Sequence, residues 1–94
     1  MTTATFGGQV IAESDETIIV EGNHYFPPAS VNHEFLSEHD RTSVCSWKGT
    51  ANYYTVTVDG ESADAAGWYY AEPMDKAANI VNYVAFYPAV TVTA

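Results

Sequence analysis

Within four consecutive residues, Cys45-Ser46-Trp47-Lys48, the chain places its only thiol, one of its two tryptophans and one of its three cations, with Gly49 directly after. A cysteine acts as a nucleophile only as thiolate, so Cys45 needs a nearby cation or base to bring its pKa down from about 8.5. Lys48 is adjacent in sequence, and His24, His33 and His39 supply imidazoles on other segments, with no spacing that places one beside the thiol. The plainer reading makes Cys45 a small buried apolar side chain. Lys48 has two readings of its own. A lone cation among aromatic residues anchors a carboxylate, phosphate or carbonyl group; an exposed turn lysine pairs with a nearby acid to little effect. If the segment is a strand, Cys45 and Trp47 face one side and Ser46 and Lys48 the other, unless a turn at Gly49 relaxes the alternation.

Around this segment lie many rings, chiefly Tyr25, Tyr53, Tyr54, Trp68, Tyr69, Tyr70 and Tyr87. Most must be core in so short a β-rich chain. The polar tips of Tyr and Trp nevertheless need partners, and several converging on one place would line a ligand cleft. Tyr25, Trp47, Lys48, Tyr53, Tyr54 and Trp68 are the candidate ligand-binding residues, and Cys45 with Lys48 the candidate catalytic pair.

Other chemistries lack their residues. One cysteine forms no intrachain disulfide and no paired-cysteine zinc site, and the histidines show no metal-ligand spacing. No glycine loop precedes a helix to cradle phosphate, and no serine has the context of a nucleophile elbow. No cofactor is therefore expected. Twelve acids against three bases, Arg41, Lys48 and Lys76, leave a net charge of −9. That field disfavours nucleic acid and anionic membrane surfaces and keeps a small domain soluble. With no signal peptide and no spanning segment, a reducing cytoplasm is the expected location.

The elements that must position these residues are mostly strands, in one domain covering residues 1–94. Thr3–Phe6 and Gln9–Ala12 flank Gly7-Gly8, a hairpin signal. Thr17–Val20 is β-branched, Glu21-Gly22-Asn23 turns into His24-Tyr25-Phe26, and Pro27-Pro28 ends the strand. Ser30–Leu36 reads as a short helix capped by Ser30, and Ser37–Arg41 as a charged loop. Thr42–Trp47 is a strand turning at Lys48-Gly49. Asn52–Val58 follows, with Tyr54, Val56 and Val58 on one face and Tyr53, Thr55 and Thr57 on the other. Asp59-Gly60 is a type I′ hairpin signal with Glu61–Ala65 returning. Trp68–Tyr70 is again extended, Asp75–Asn82 a helix with Ala77, Ala78, Ile80 and Val81 inward, and Tyr83–Tyr87 and Val90–Thr93 are closing strands. The expectation is a compact, mainly β fold with one or two short helices.

These residues resemble a known family. The run Thr42–Tyr54 (TSVCSWKGTANYY), then Gly67-Trp68-Tyr69-Tyr70, Glu72-Pro73 and Val84-Ala85-Phe86-Tyr87, is similar to the small bacterial domains grouped as domain of unknown function 427 (DUF427), which also carry a nucleotidyltransferase-like label. Phe6-Gly7-Gly8, Val10-Ile11-Ala12 and His24-Tyr25 with Pro27 fit the same pattern. The family usually reads Cys-Pro-Trp-Lys-Gly, and Ser46 stands here in place of the proline. The resemblance marks Tyr25, Pro27, Cys45, Trp47, Lys48, Gly49, Tyr53 or Tyr54, Trp68, Phe86 and Tyr87. It implies a β-tent or Mss4-like fold, two small antiparallel sheets packed at an angle. In that group some members bind small ligands in an aromatic cleft between the sheets, and others reduce methionine sulfoxide with a thiol. Fold alone does not choose among these. Three readings stand: a small-molecule binding domain with an aromatic cleft near Cys-x-Trp-Lys-Gly; an enzyme using Cys45 in thiol redox or acyl chemistry, tuned by Lys48 or His24; and an interaction module whose sheet face docks a partner or a second copy. A nucleotidyltransferase would need a phosphate loop and paired metal-binding carboxylates, which the chain lacks.

Overall fold

The computed structural model describes residues 1–94. Nine strands run in chain order: β1 Thr2–Phe6, β2 Gln9–Ser14, β3 Ile18–Val20, β4 Asn23–Tyr25, β5 Leu36–Cys45, β6 Gly49–Val58, β7 Glu61–Tyr69, β8 Val84–Phe86 and β9 Thr91–Thr93. Every strand pair is antiparallel. They form small sheets of order β2-β1-β9, β3-β4 and β5-β6-β7-β8. The mainly β architecture of small antiparallel sheets is the one read from sequence, with the β3–β4 hairpin as a further, two-stranded sheet. Phe26 joins that hairpin to β8 by a pair of backbone hydrogen bonds with Val84, 2.8 and 2.9 Å long.

Turn chemistry sets the hairpins. Gly7-Gly8, Glu21-Gly22 and Asp59-Gly60 each join paired strands with two residues, all six at positive φ. That is the type I′ geometry whose twist matches the flanking strands. Aspartate enters the left-handed region more readily than glutamate does, and the glycine after each takes the larger angle without a Cβ.

Three expected elements differ. Ser30–Leu36 is not one helix but two single 3₁₀ turns, Pro28–Ser30 and His33–Phe35, the second capped by the Asn32 side chain accepting from Glu34 N–H. The charged run Ser37–Arg41 is strand rather than loop, because β5 is a sheet edge with a solvated face that tolerates charge. The segment Asp75–Ile80 is likewise 3₁₀, with Met74 rather than Asp75 at its cap. Ala77 and Ile80 are buried while Ala78 and Val81 face water. An i, i+3 pair on one face is what three residues per turn produces.

Away from the β5 edge, the four-stranded sheet buries both faces. Alternation along β6 sends Val56 and Val58, with half-buried Tyr54, into a cluster with Ala4, Ile11, Phe26 and Val84. Ala51 and Tyr53 join a second cluster with Tyr25, Trp68, Tyr70 and Ile80. Two irregularities break the ladder. Asp40 and Arg41 bulge out of β5 between His39 and Thr42, and β7 carries extra residues between Ala63 and Gly67, with Ala65 at φ 52°.

Candidate functional site

Lys48 reaches its place through a tight connection. Cys45 pairs with Gly49, so Ser46-Trp47-Lys48 forms a three-residue loop and β5 stops before the tryptophan. Strand alternation therefore does not separate Trp47 from Lys48, and the ammonium lies 5.4 Å from the Trp47 ring. Gly49 sits at φ 111°, and a Cβ there would meet the Glu72 carbonyl oxygen and the Met74 nitrogen at 3.5 Å. Met74 N–H donates to the Lys48 carbonyl over 2.9 Å. The loop is thus fastened to the 72–74 segment from both sides.

The Lys48 side chain is only 8% exposed, and its ammonium donates to the carboxylate of Glu21 on the β3–β4 turn. A second ring, Tyr70, lies 5.6 Å from the charge. Burial pulls the Lys48 pKa down, but the Glu21 hydrogen bond and the Tyr25 and Tyr70 hydroxyls outweigh it, so the net shift is upward. The Lys48 hydrogen bond and charge hold Glu21 below the ordinary glutamate value. Tyr70 is pushed up by burial, with the Lys48 charge opposing.

Next to this ammonium opens a cavity of about 280 Å³, whose walls include Ser43, Lys48, Tyr53, Trp68, Tyr70 and Tyr87. Trp68 and Tyr87 pack with ring centres 4.6 Å apart, and Tyr87 lies parallel to Tyr53 at 6.4 Å. Polar tips converge here: the Ser43 and Tyr53 hydroxyls are 2.8 Å apart. The Arg41 guanidinium covers the Tyr53 ring at 4.8 Å. Two of the three cations in the chain therefore stand against one aromatic wall.

Of the six ligand-binding candidates, Lys48, Tyr53 and Trp68 line the cavity. Tyr25 stands behind it, fully buried, its hydroxyl accepting from Trp68 Nε1–H over 3.0 Å with the two rings edge-on. Trp47 flanks Lys48 and does not line the cavity. Tyr54 is on the opposite face of the sheet, stacked on Tyr69 at 4.6 Å, and Tyr69 donates to Glu38. Cys45 is half-buried at the end of β5, and its thiol makes no hydrogen bond to any group. His24 is engaged elsewhere, its Nδ1 2.9 Å from the Thr17 hydroxyl. Nowhere do three or more His, Cys, Asp or Glu side chains gather as metal ligands, and no helix is long and apolar enough to cross a membrane. Tyr70 and Tyr87, which also line the cavity, stood in the aromatic set, and the family resemblance marks Tyr87, but neither was a ligand-binding candidate. Glu21, Asn23 and Ser43 belong to the site without having been singled out by sequence, and only the Glu21-Gly22-Asn23 turn signal pointed near them.

The sequence pattern described as Domain of unknown function (DUF427) matches residues 1–94, the whole chain. The chain belongs to the DUF427 family. No curated protein matches it. In this DUF427 domain the family-like segment Cys45–Gly49 thus contributes a sequestered ammonium to an aromatic cavity, while its thiol makes no hydrogen bond.

Proposed function

We propose that this DUF427 domain binds a small planar ligand bearing a carboxylate or carbonyl group, with its ring in the aromatic cavity and that group at Lys48. The observation that carries the reading is a nearly water-free ammonium at the wall of a cavity made of Tyr53, Trp68, Tyr70 and Tyr87. A charge in such surroundings attracts an acceptor more strongly than it does in water, and the rings supply apolar contact to a planar group. Size narrows the class. A dry cavity of roughly 150 Å³ accommodates benzene, so about 280 Å³ suits a substituted single ring or a fused pair. A nucleoside triphosphate would bring several negative charges to one sequestered cation in a chain of net charge −9, which argues against nucleotidyl transfer.

Glu21 already occupies Lys48, and its carboxylate is 54% exposed. An incoming carboxylate shares or displaces it, and the released side chain returns to water at small cost. The test is titration with benzoate followed by tryptophan emission, since Trp47 and Trp68 both border the site. Saturable quenching that Lys48→Met weakens about tenfold or more supports the reading, one charge-assisted hydrogen bond being worth that much. Absence of saturable quenching in the unaltered protein rejects it.

A further inference from the structure

A second cavity, also about 280 Å³, lies across Tyr87 from the first, with Arg41, Asp64 and an alanine floor that includes Ala65, Ala66 and Ala89. Both irregularities of the four-stranded sheet open onto it. The β5 bulge supplies Arg41, and the β7 bulge supplies Asp64 through Ala66, with Ala65 held at φ 52°. A non-glycine residue in the left-handed region is strained, and bulges of this kind re-aim side chains beside binding sites.

The charges facing this cavity are solvent-exposed and carry no ion pair. Arg41 lies on the Tyr53 ring, its backbone N–H donates to His39 Nδ1 over 3.0 Å, and its guanidinium makes no ion pair. Asp64 makes none either. In a chain with twelve acids and three bases, an arginine and an aspartate, each without an ion pair, border one cavity and together offer a receptor for both signs at once. A guanidinium takes a carboxylate bidentately, and a carboxylate takes an ammonium.

We infer that the second cavity is a subsite for an α-amino-carboxylate head group, Arg41 meeting the carboxylate and Asp64 the ammonium, so that the ligand is an aromatic amino acid or a close derivative spanning Tyr87. The inference rests on the reading of the first cavity as the ring site. The alanine floor lets the head group approach the backbone, and Tyr87, 39% exposed, serves both halves as a shared wall.

Calorimetric titration of the full chain with three probes tests it: benzoate, 4-(2-carboxyethyl)benzoate, and 4-carboxy-L-phenylalanine. The first carries only the ring half, the second adds a carboxylate, and the third adds the whole head group. The expected order is increasing affinity, with about tenfold between the first and the last or more. Within Arg41→Gln both longer probes lose their advantage over benzoate, while Asp64→Asn removes only the added advantage of the amino acid. Equal affinity for benzoate and 4-carboxy-L-phenylalanine overturns the head-group subsite and leaves the ring site standing. An advantage that survives both substitutions overturns it too. Failure of all three probes to bind overturns both readings together.

Discussion

Lys48 and Tyr25 show how differently two buried polar side chains in one cluster respond to change. Lys48 is paired with an exposed carboxylate, so removing the ammonium strands no buried charge. Lys48→Met keeps the stem volume and is expected to cost under about 1.5 kcal/mol in urea unfolding. Its larger effect falls on ligand binding. Tyr25 is different: its hydroxyl accepts from Trp68 Nε1–H in the interior. Tyr25→Phe leaves that indole donor unpaired and is expected to cost about 1–3 kcal/mol, read as a lower urea midpoint with an unchanged slope. At this scale the sequence was half legible. The Cys45–Gly49 run drew the eye to Lys48, but nothing local to it names Glu21, 27 residues away and meeting it only through the fold. Strand alternation separated Tyr53 from Tyr54 correctly, yet which of the two faces the cavity depends on how β6 packs against its neighbours.

Between elements, Gly67 has the tightest surroundings of the glycines, and Ala65 is a strained backbone position. A Cβ on Gly67 would meet Phe86 ring atoms at 3.3 Å, so Gly67→Ala pushes β7 from β8 unless the ring yields, with an expected loss of about 1–3 kcal/mol. Ala65→Gly sets two effects against each other. Relief of a left-handed alanine returns roughly 1–2 kcal/mol, and added chain freedom removes about 0.5–1 kcal/mol. Thermal unfolding should show Ala65→Gly at or slightly above the parent stability, and a drop in the same test would mean Ala65 is not strained. The hairpins here were readable because glycine pairs with a defined turn. The length of β5 was not, since Glu38, Asp40 and Arg41 resemble a loop when the solvated side of an edge strand is unknown. The 3₁₀ turns were missed for a similar reason: Asp75–Asn82 carries an apolar pattern, and only its packing selects three residues per turn over 3.6.

For the molecule as a whole, the titration shifts of four tyrosines and of Lys48 share one sign. Burial pushes up Tyr54, Tyr69 and Tyr70, and the Tyr53 hydrogen bond with burial pushes up Tyr87. Lys48 is raised as well. A group with a higher pKa in the folded state holds its proton there while the unfolded chain releases it. Stability contributed by these groups is therefore full below their ordinary values and falls as pH rises beyond about 10. Urea midpoints measured from neutral to strongly alkaline pH should decline there together with the appearance of tyrosinate absorbance. A flat profile through that window would contradict the buried setting of the cluster.

The first and last strands have a mechanical consequence. β1 and β9 are antiparallel neighbours, with Thr3 opposite Thr93 and Thr5 opposite Thr91. The incoming end of one and the outgoing end of the other therefore emerge side by side. Tension applied through the two ends loads this ladder one rung at a time, as a zipper, rather than all rungs in shear. Pulled that way, the domain should yield at low force by peeling off β9 first, while the aromatic cavity keeps its walls until the peel reaches Pro88 and Tyr87.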